Sequence, residues 1–190
     1  MSFHVYKKLI LALTLFTVCS NPALAQQSSP EFPADSRAAV AELPSIQGTK
    51  PLNLSAIENQ PVLVTFFASW CPPCRIEFAH LNNLKKRYSD TDLQIIAINV
   101  YEAWDDNDAE RMEKFISSTQ PSFPAVIGSE KIRELFGGID RIPTVYGFDR
   151  SGELSYRFIH KRGSKTTNAS FIELDQAVKN LLASPGGESN

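Results

Sequence analysis

Residues 61–78, PVLVTFFASWCPPCRIEF, decide how the rest of the chain is read. Positions 62–68 are apolar, β-branched and aromatic without a charge, which suits a strand buried on both faces. Ser69 and Trp70 end that run, Cys71-Pro72-Pro73-Cys74 follows, and a pattern of helical period begins. Proline is tolerated in the first turn of a helix, where the backbone N–H groups have no intrahelical partner. The two prolines therefore set Cys71 at a helix N-terminus and Cys74 one turn in. A thiol there faces unpaired N–H donors and the positive end of the helix dipole, and both favour the thiolate. A cysteine pair so placed is a candidate redox site.

The 190 residues, 43% hydrophobic with a formal net charge of −2, suit one globular domain with an adequate core. Residues 1–25 stand apart. Lys7-Lys8, an apolar run over 9–18 and Ala23-Leu24-Ala25 make a basic region, an apolar core and a small-x-small cleavage site, the pattern of a secretory signal peptide. The alternative is an uncleaved N-terminal anchor, which would be the chain's one tie to a membrane. Without these residues 17 basic stand against 21 acidic residues, a net charge of −4. Such a surface makes no electrostatic case for DNA, RNA or anionic membranes. Cys19 falls in the leader; lipidation there is disfavoured because Phe16-Thr17-Val18 lacks the small residue such processing wants. Cys71 and Cys74 are then the only thiols of the mature chain, and no structural disulfide is available.

A Cys-x-x-Cys pair can also be half of a zinc site. That needs four ligands, and only His80 and His160 remain as histidines. His80, six residues beyond Cys74, lies on a different face by helical spacing. No metal site is expected.

Along the mature chain, residues 26–41 are rich in Gln, Ser, Pro and Ala and read as a flexible linker. A β-hairpin is expected over 43–54 around the turn 47–50, then a connector. The cysteine helix should run to about 88 with Ile76, Leu81 and Leu84 toward the core. A second buried strand is expected over 93–100 and a helix over 109–118 capped by Asn107 or Asp108. A short strand at 125–127, a helix over 129–136 closed by Gly137-Gly138, and a hairpin of strands 144–149 and 153–160 follow. Ser170 opens an amphipathic helix to about 182, and 184–190 form a polar tail. Strands alternating with helices predict an α/β fold: one domain over 42–183 with a central mixed sheet flanked by helices.

The sequence resembles a thioredoxin-fold protein, more narrowly the exported TlpA/ResA/DsbE-like group of thiol–disulfide oxidoreductases. Four stretches carry the likeness: Phe66 to Cys74, Arg141-Ile142-Pro143-Thr144, Phe148 to Gly152, and residues 101–118, which resemble the group's extra helix insertion. The resemblance implies Cys71 as nucleophile and Cys74 as resolving thiol. It implies a cis bond before Pro143, presenting backbone near Ile142 to an extended substrate. Trp70, Pro72 and Pro73 would border the substrate site. Glu77, three residues after Cys74, matches a glutamate of ResA-type members and would exchange protons with the thiols; the alternative is a solvated helix-face residue. No cofactor is implied beyond the Cys71–Cys74 disulfide.

Two positions depart from the thioredoxin pattern. Thr65 stands where thioredoxin has a buried acid, and Ala79 where many relatives have a kinking proline. The implied activity is periplasmic reduction of disulfides in exported proteins, such as cytochrome c precursors or copper-site assembly proteins, with electrons from a membrane-embedded reductant. A DsbA-like oxidase is the alternative, although its large helical insertion is missing. A copper metallochaperone using His160 is the reading from another class, against which the two-residue cysteine spacing speaks. Tyr101 and Trp104, after the second strand, are further candidates for the substrate groove. The basic run of Arg157, His160, Lys161, Arg162 and Lys165 is either a docking face or a solvated one.

Overall fold

The computed structural model describes residues 30–103 and 107–184. The proposed signal peptide, Trp104 and nearly all of the polar tail lie outside them. Five strands form one sheet in the order β3-β2-β1-β4-β5. The central strand β1 (Val62–Phe67) lies parallel to β2 (Gln94–Asn99), and β2 lies parallel to β3 (Ala125–Ile127). On the other side β1 runs antiparallel to β4 (Thr144–Phe148), which forms a hairpin with β5 (Leu154–Ile159). Six helices are described: α1 (Ala34–Ala41), α2 (Leu54–Ile57), α3 (Pro72–Arg87), α4 (Asp108–Thr119), α5 (Glu130–Leu135) and α6 (Phe171–Ala183). The expected mixed sheet between helices is present, and α4 is the insertion between β2 and β3.

Every residue of β1 is buried, as a strand covered on both faces must be. Period-2 alternation sends Leu63 and Phe67 into one core with Phe78, Leu81 and Leu84 of α3, Phe115 of α4 and Leu174, Val178 and Leu181 of α6. Val62, Val64 and Phe66 enter the other, with Phe32, Val40, Ile132, Phe136 and Phe148. Each fully buried Leu or Phe contributes about 1.5–3 kcal/mol, so either side alone is a substantial core. The α6 start carries the full reciprocal cap: Glu173 N–H donates to Ser170 Oγ, and the Glu173 carboxylate accepts from the Ser170 N–H.

Three expectations are corrected. Residues 34–41 are not a flexible linker but α1, packed on the second core, so the folded unit reaches at least to Phe32. The Phe32 ring lies 5.5 Å from that of Phe136 and 5.3 Å from that of Phe148. The Arg37 side chain is buried and donates to the carbonyls of Phe32 (2.8 Å), Ile57, Gln60 (2.9 Å) and Asp149 (3.0 Å). The β4–β5 turn completes this clasp. Phe32 N–H donates to Gly152 O at 2.8 Å, and Gly152 has φ +92°, with room for no Cβ because Phe32 O would stand 2.4 Å from it.

Second, residues 43–54 do not pair with each other as a β-hairpin. The turn exists, with Gly48 at φ +83°, but Ser45 bridges Val126 and Lys50 bridges Pro124. The outer edge of β3 offers unpaired backbone groups, and both arms satisfy those instead. Third, Ile76 does not face the core: it is 51% exposed, and Phe78 takes the buried place in its stead. Helical spacing from Leu81 and Leu84 reaches Phe78 and Glu77 sooner than Ile76.

Candidate active site

Cys71 is the N-cap residue of α3, and its Sγ accepts from the Cys74 N–H at 3.3 Å. The two cysteines form a disulfide, with Cα atoms 5.4 Å apart. Cys71 retains 3% exposure and Cys74 none, so an incoming group meets Cys71 first. The loop from β1 into α3 turns tightly, Cys71 N–H donating to Ala68 O at 3.2 Å. Pro72 is exposed and Pro73 half-buried, both in the first helical turn as expected.

The Ile142–Pro143 peptide bond is cis. Thr144 pairs with Phe66 in the β1–β4 register, which sets Pro143 beside the end of β1 where the cysteine loop begins. Ile142 is half-buried and packs against both cores; Pro143 is buried. Arg141 is exposed, 3.5 Å from Asp140. Trp70 is 36% exposed, and its indole N–H donates to Tyr101 O at 2.7 Å, which fixes the ring over the β2 end of the sheet. Tyr101 itself sits at φ +59°, with its hydroxyl on Ile139 O at 2.5 Å and the Arg133 guanidinium 4.2 Å over its ring.

Glu77 is not a solvated residue. It is wholly buried one turn beyond Cys74, and its Oε1 accepts from the Thr65 hydroxyl at 2.5 Å. Its Oε2 has no hydrogen-bond partner among the described residues. Burial pushes this carboxyl up to about 7, while the Thr65 hydroxyl and the nearby Ala169 backbone pull the other way. The residue at the place of thioredoxin's buried acid thus supports an acid supplied by the helix opposite.

This carboxyl has a consequence for stability. Its folded-state pKa lies above the unfolded value near 4.5, so between those values the folded chain holds a proton that the unfolded chain releases. Stability is greatest below the window, falls as pH rises from about 4.5 to 7 by about 3 kcal/mol, and stays lowered above it. Glu77→Gln should flatten that dependence. Denaturant midpoints across this range check it, and an unchanged slope in the variant would assign the proton elsewhere.

One site residue carried no sequence expectation. Glu102 accepts from Ser69 N–H (2.9 Å), from the Ser69 hydroxyl and from Asn99 Nδ2 (2.7 Å), with Arg111 Nε 3.6 Å away. A single carboxylate thereby ties the loop before Trp70 to β2 and to α4. The isolated polar Asn99 at the end of an aliphatic strand was the signal for it, because a buried amide needs partners.

His80 Nδ1 lies 3.0 Å from Ala169 O, and His160 ends β5, its backbone N–H donating to Pro143 O at 3.2 Å.

A mixed sheet, a Cys-x-x-Cys disulfide on a helix N-terminus and a cis-proline loop beside it define a thioredoxin-fold protein. The Redoxin family profile matches residues 27–172, and the chain belongs to that family. It is 26% identical over 112 residues to the thiol-disulfide oxidoreductase ResA of Bacillus thuringiensis (strain Al Hakam), covering 58% of this chain and 61% of that one. It is 28% identical over 126 residues to the thioredoxin-like protein YneN of Bacillus subtilis (strain 168), covering 66% of each. The chain thus spans about three fifths of the ResA relative's length. Among solved structures, a thiol:disulfide interchange protein of the thioredoxin family from Chlorobium tepidum TLS superposes with a TM-score of 0.58 at 25% identity, covering 74% of this chain and 94% of that one. A secreted Mycobacterium tuberculosis disulfide oxidoreductase, at 18% identity and a TM-score of 0.59 over 77% of this chain and 99% of that one, shares the fold.

Proposed function

We propose that the chain is an exported thiol–disulfide oxidoreductase that reduces disulfides in selected proteins of the periplasm. The observation that carries this reading is the Cys71–Cys74 disulfide at the α3 N-terminus, with Cys71 at the rim and Cys74 beneath it. In the reduced protein the Cys71 thiolate attacks one sulfur of a partner disulfide, forming a mixed disulfide and releasing the partner's other sulfur as thiolate. Cys74 then gives up its proton and attacks Cys71 Sγ. The second partner sulfur leaves, the Cys71–Cys74 bond forms, and two electrons have passed to the partner. Glu77, buried on the same side of α3, is the group placed to take the Cys74 proton near neutral pH. The backbone beside Ile142 aligns the partner's extended segment, between Trp70 and Pro72-Pro73. The Cys71–Cys74 pair is the whole redox group, and a membrane-embedded dithiol donor reduces its disulfide back to two thiols, becoming a disulfide itself. No helix among the described residues is long and apolar enough to cross a membrane. Cytochrome c precursors and copper-site assembly proteins are the partner classes that the ResA and DsbE likeness suggests.

Equilibration with glutathione or dithiothreitol buffers tests the direction of transfer. A reduction potential near about −250 mV is the expected result, and one near about −120 mV would assign the site to oxidation instead.

A further inference from the structure

Residues 154–172 contain no carboxylate, in a chain with 21 acidic against 19 basic residues. Within that stretch Lys161, Arg162 and Lys165 fall in five consecutive positions. All three are exposed, and none of their side chains makes a hydrogen bond or ion pair with another described residue. Cations so close together repel one another, and no carboxylate within residues 154–172 offsets that repulsion.

The placement of this loop is what gives the cluster meaning. Its first residue, His160, donates its backbone N–H to Pro143 O. At its far end Ala169 O meets His80 Nδ1 at 3.0 Å, and the Ala169 backbone acts on the Glu77 carboxyl. The loop therefore spans from the cis-proline segment to the cysteine helix and walls one side of the redox site. It is held in shape: Ser164 N–H donates to Lys161 O at 3.0 Å, Gly163 takes φ +74°, and Thr166 N–H donates to Ser164 Oγ at 3.1 Å. It leads out of β5, an edge strand with no neighbour on its outer side among the described residues.

We propose that Lys161, Arg162 and Lys165 form a docking surface for an acidic segment of the partner polypeptide, adjacent to the disulfide that Cys71 attacks. The inference rests on the redox reading above and adds a partner class to it. A segment bearing Asp or Glu lies along the loop with its charges against the three cations. Charge of this kind acts mainly on the encounter rate and on choice between partners, and it is screened by salt.

The test uses the reduced full chain and three substrates. Two are synthetic peptides with one disulfide each, identical except for a flanking run of glutamates in one and lysines in the other. The third is uncharged 2-hydroxyethyl disulfide. At about 0.02 M salt the glutamate peptide should be reduced about 10-fold faster than the lysine peptide, and the gap should close at about 0.5 M. The triple variant Lys161→Glu/Arg162→Glu/Lys165→Glu should reverse the preference and leave the rate with 2-hydroxyethyl disulfide unchanged. The neutral variant Lys161→Gln/Arg162→Gln/Lys165→Gln should abolish the preference without reversing it. Equal rates for the two peptides, or a preference the variants leave intact, would overturn the docking surface while the redox reading stands. So would binding of the loop to phosphatidylglycerol vesicles without peptide discrimination. Failure to reduce even 2-hydroxyethyl disulfide would overturn the redox reading and the surface with it.

Discussion

Cys71→Ser should abolish disulfide reduction, by about 10³-fold or more, while Cys74→Ser should leave the first step intact and stall the second. The asymmetry follows from placement. Cys71 stands at the helix N-terminus with residual exposure, where its thiolate is favoured and a partner can reach it. Cys74 is fully enclosed one turn deeper and can reach only its neighbour. Serine in place of Cys71 removes the nucleophile, since a hydroxyl near neutral pH is not measurably ionised. Serine in place of Cys74 removes only the sulfur that would release the partner, so the mixed disulfide should accumulate and be seen as an adduct by non-reducing gel or mass spectrometry. Adduct formation by the Cys71→Ser protein instead would invert the assignment of the two thiols.

Arg37→Ala should cost about 3–4 kcal/mol of stability without altering the reduction potential. The guanidinium is buried and reaches four carbonyls, those of Phe32, Ile57, Gln60 and Asp149. These belong to the α1 approach, the α2 end, the lead into β1 and the β4–β5 turn. Alanine leaves those acceptors without their donor and opens a space between segments far apart in sequence. Lysine, with a point charge and no fork, should recover only part of the loss. For a chain of this size the alanine variant should melt about 10 °C lower. A shift below about 2 °C would mean that α1 is a peripheral attachment.

What could be read without coordinates divides along physical lines. The strand at 62–68 was visible because an uncharged β-branched run of that length has one stable use, and α3 because two prolines mark a helix start. The α6 start was visible from Ser170 as its cap. The failures share a cause. Helix α1 buries only Ser36, Arg37 and Val40, and no local pattern tells a buried arginine from a solvated one. The arms around Gly48 look like a hairpin because extended residues do not reveal which edge they will pair with; β3 supplied that edge, Ala125 meeting Thr49 across 76 residues of sequence. Glu102 was hidden among the neighbouring acids Asp105, Asp106 and Asp108. Glu77 was placed by spacing, but its burial depends on Thr65, a contact made across the sheet-helix interface.

The central sheet also divides the molecule by consequence. Both cysteines belong to the core on one face, where Thr65 meets Glu77, whereas the other, built around Phe32, Phe66, Phe136 and Phe148, holds no thiol. Changes in that second core away from Ile142 and Tyr101, which also pack against it, should act mainly on how much protein is present. Changes on the cysteine side reach the candidate site as well as the fold. An engineer who wants a hardier protein with its candidate site undisturbed therefore has the greater part of that second core to work in.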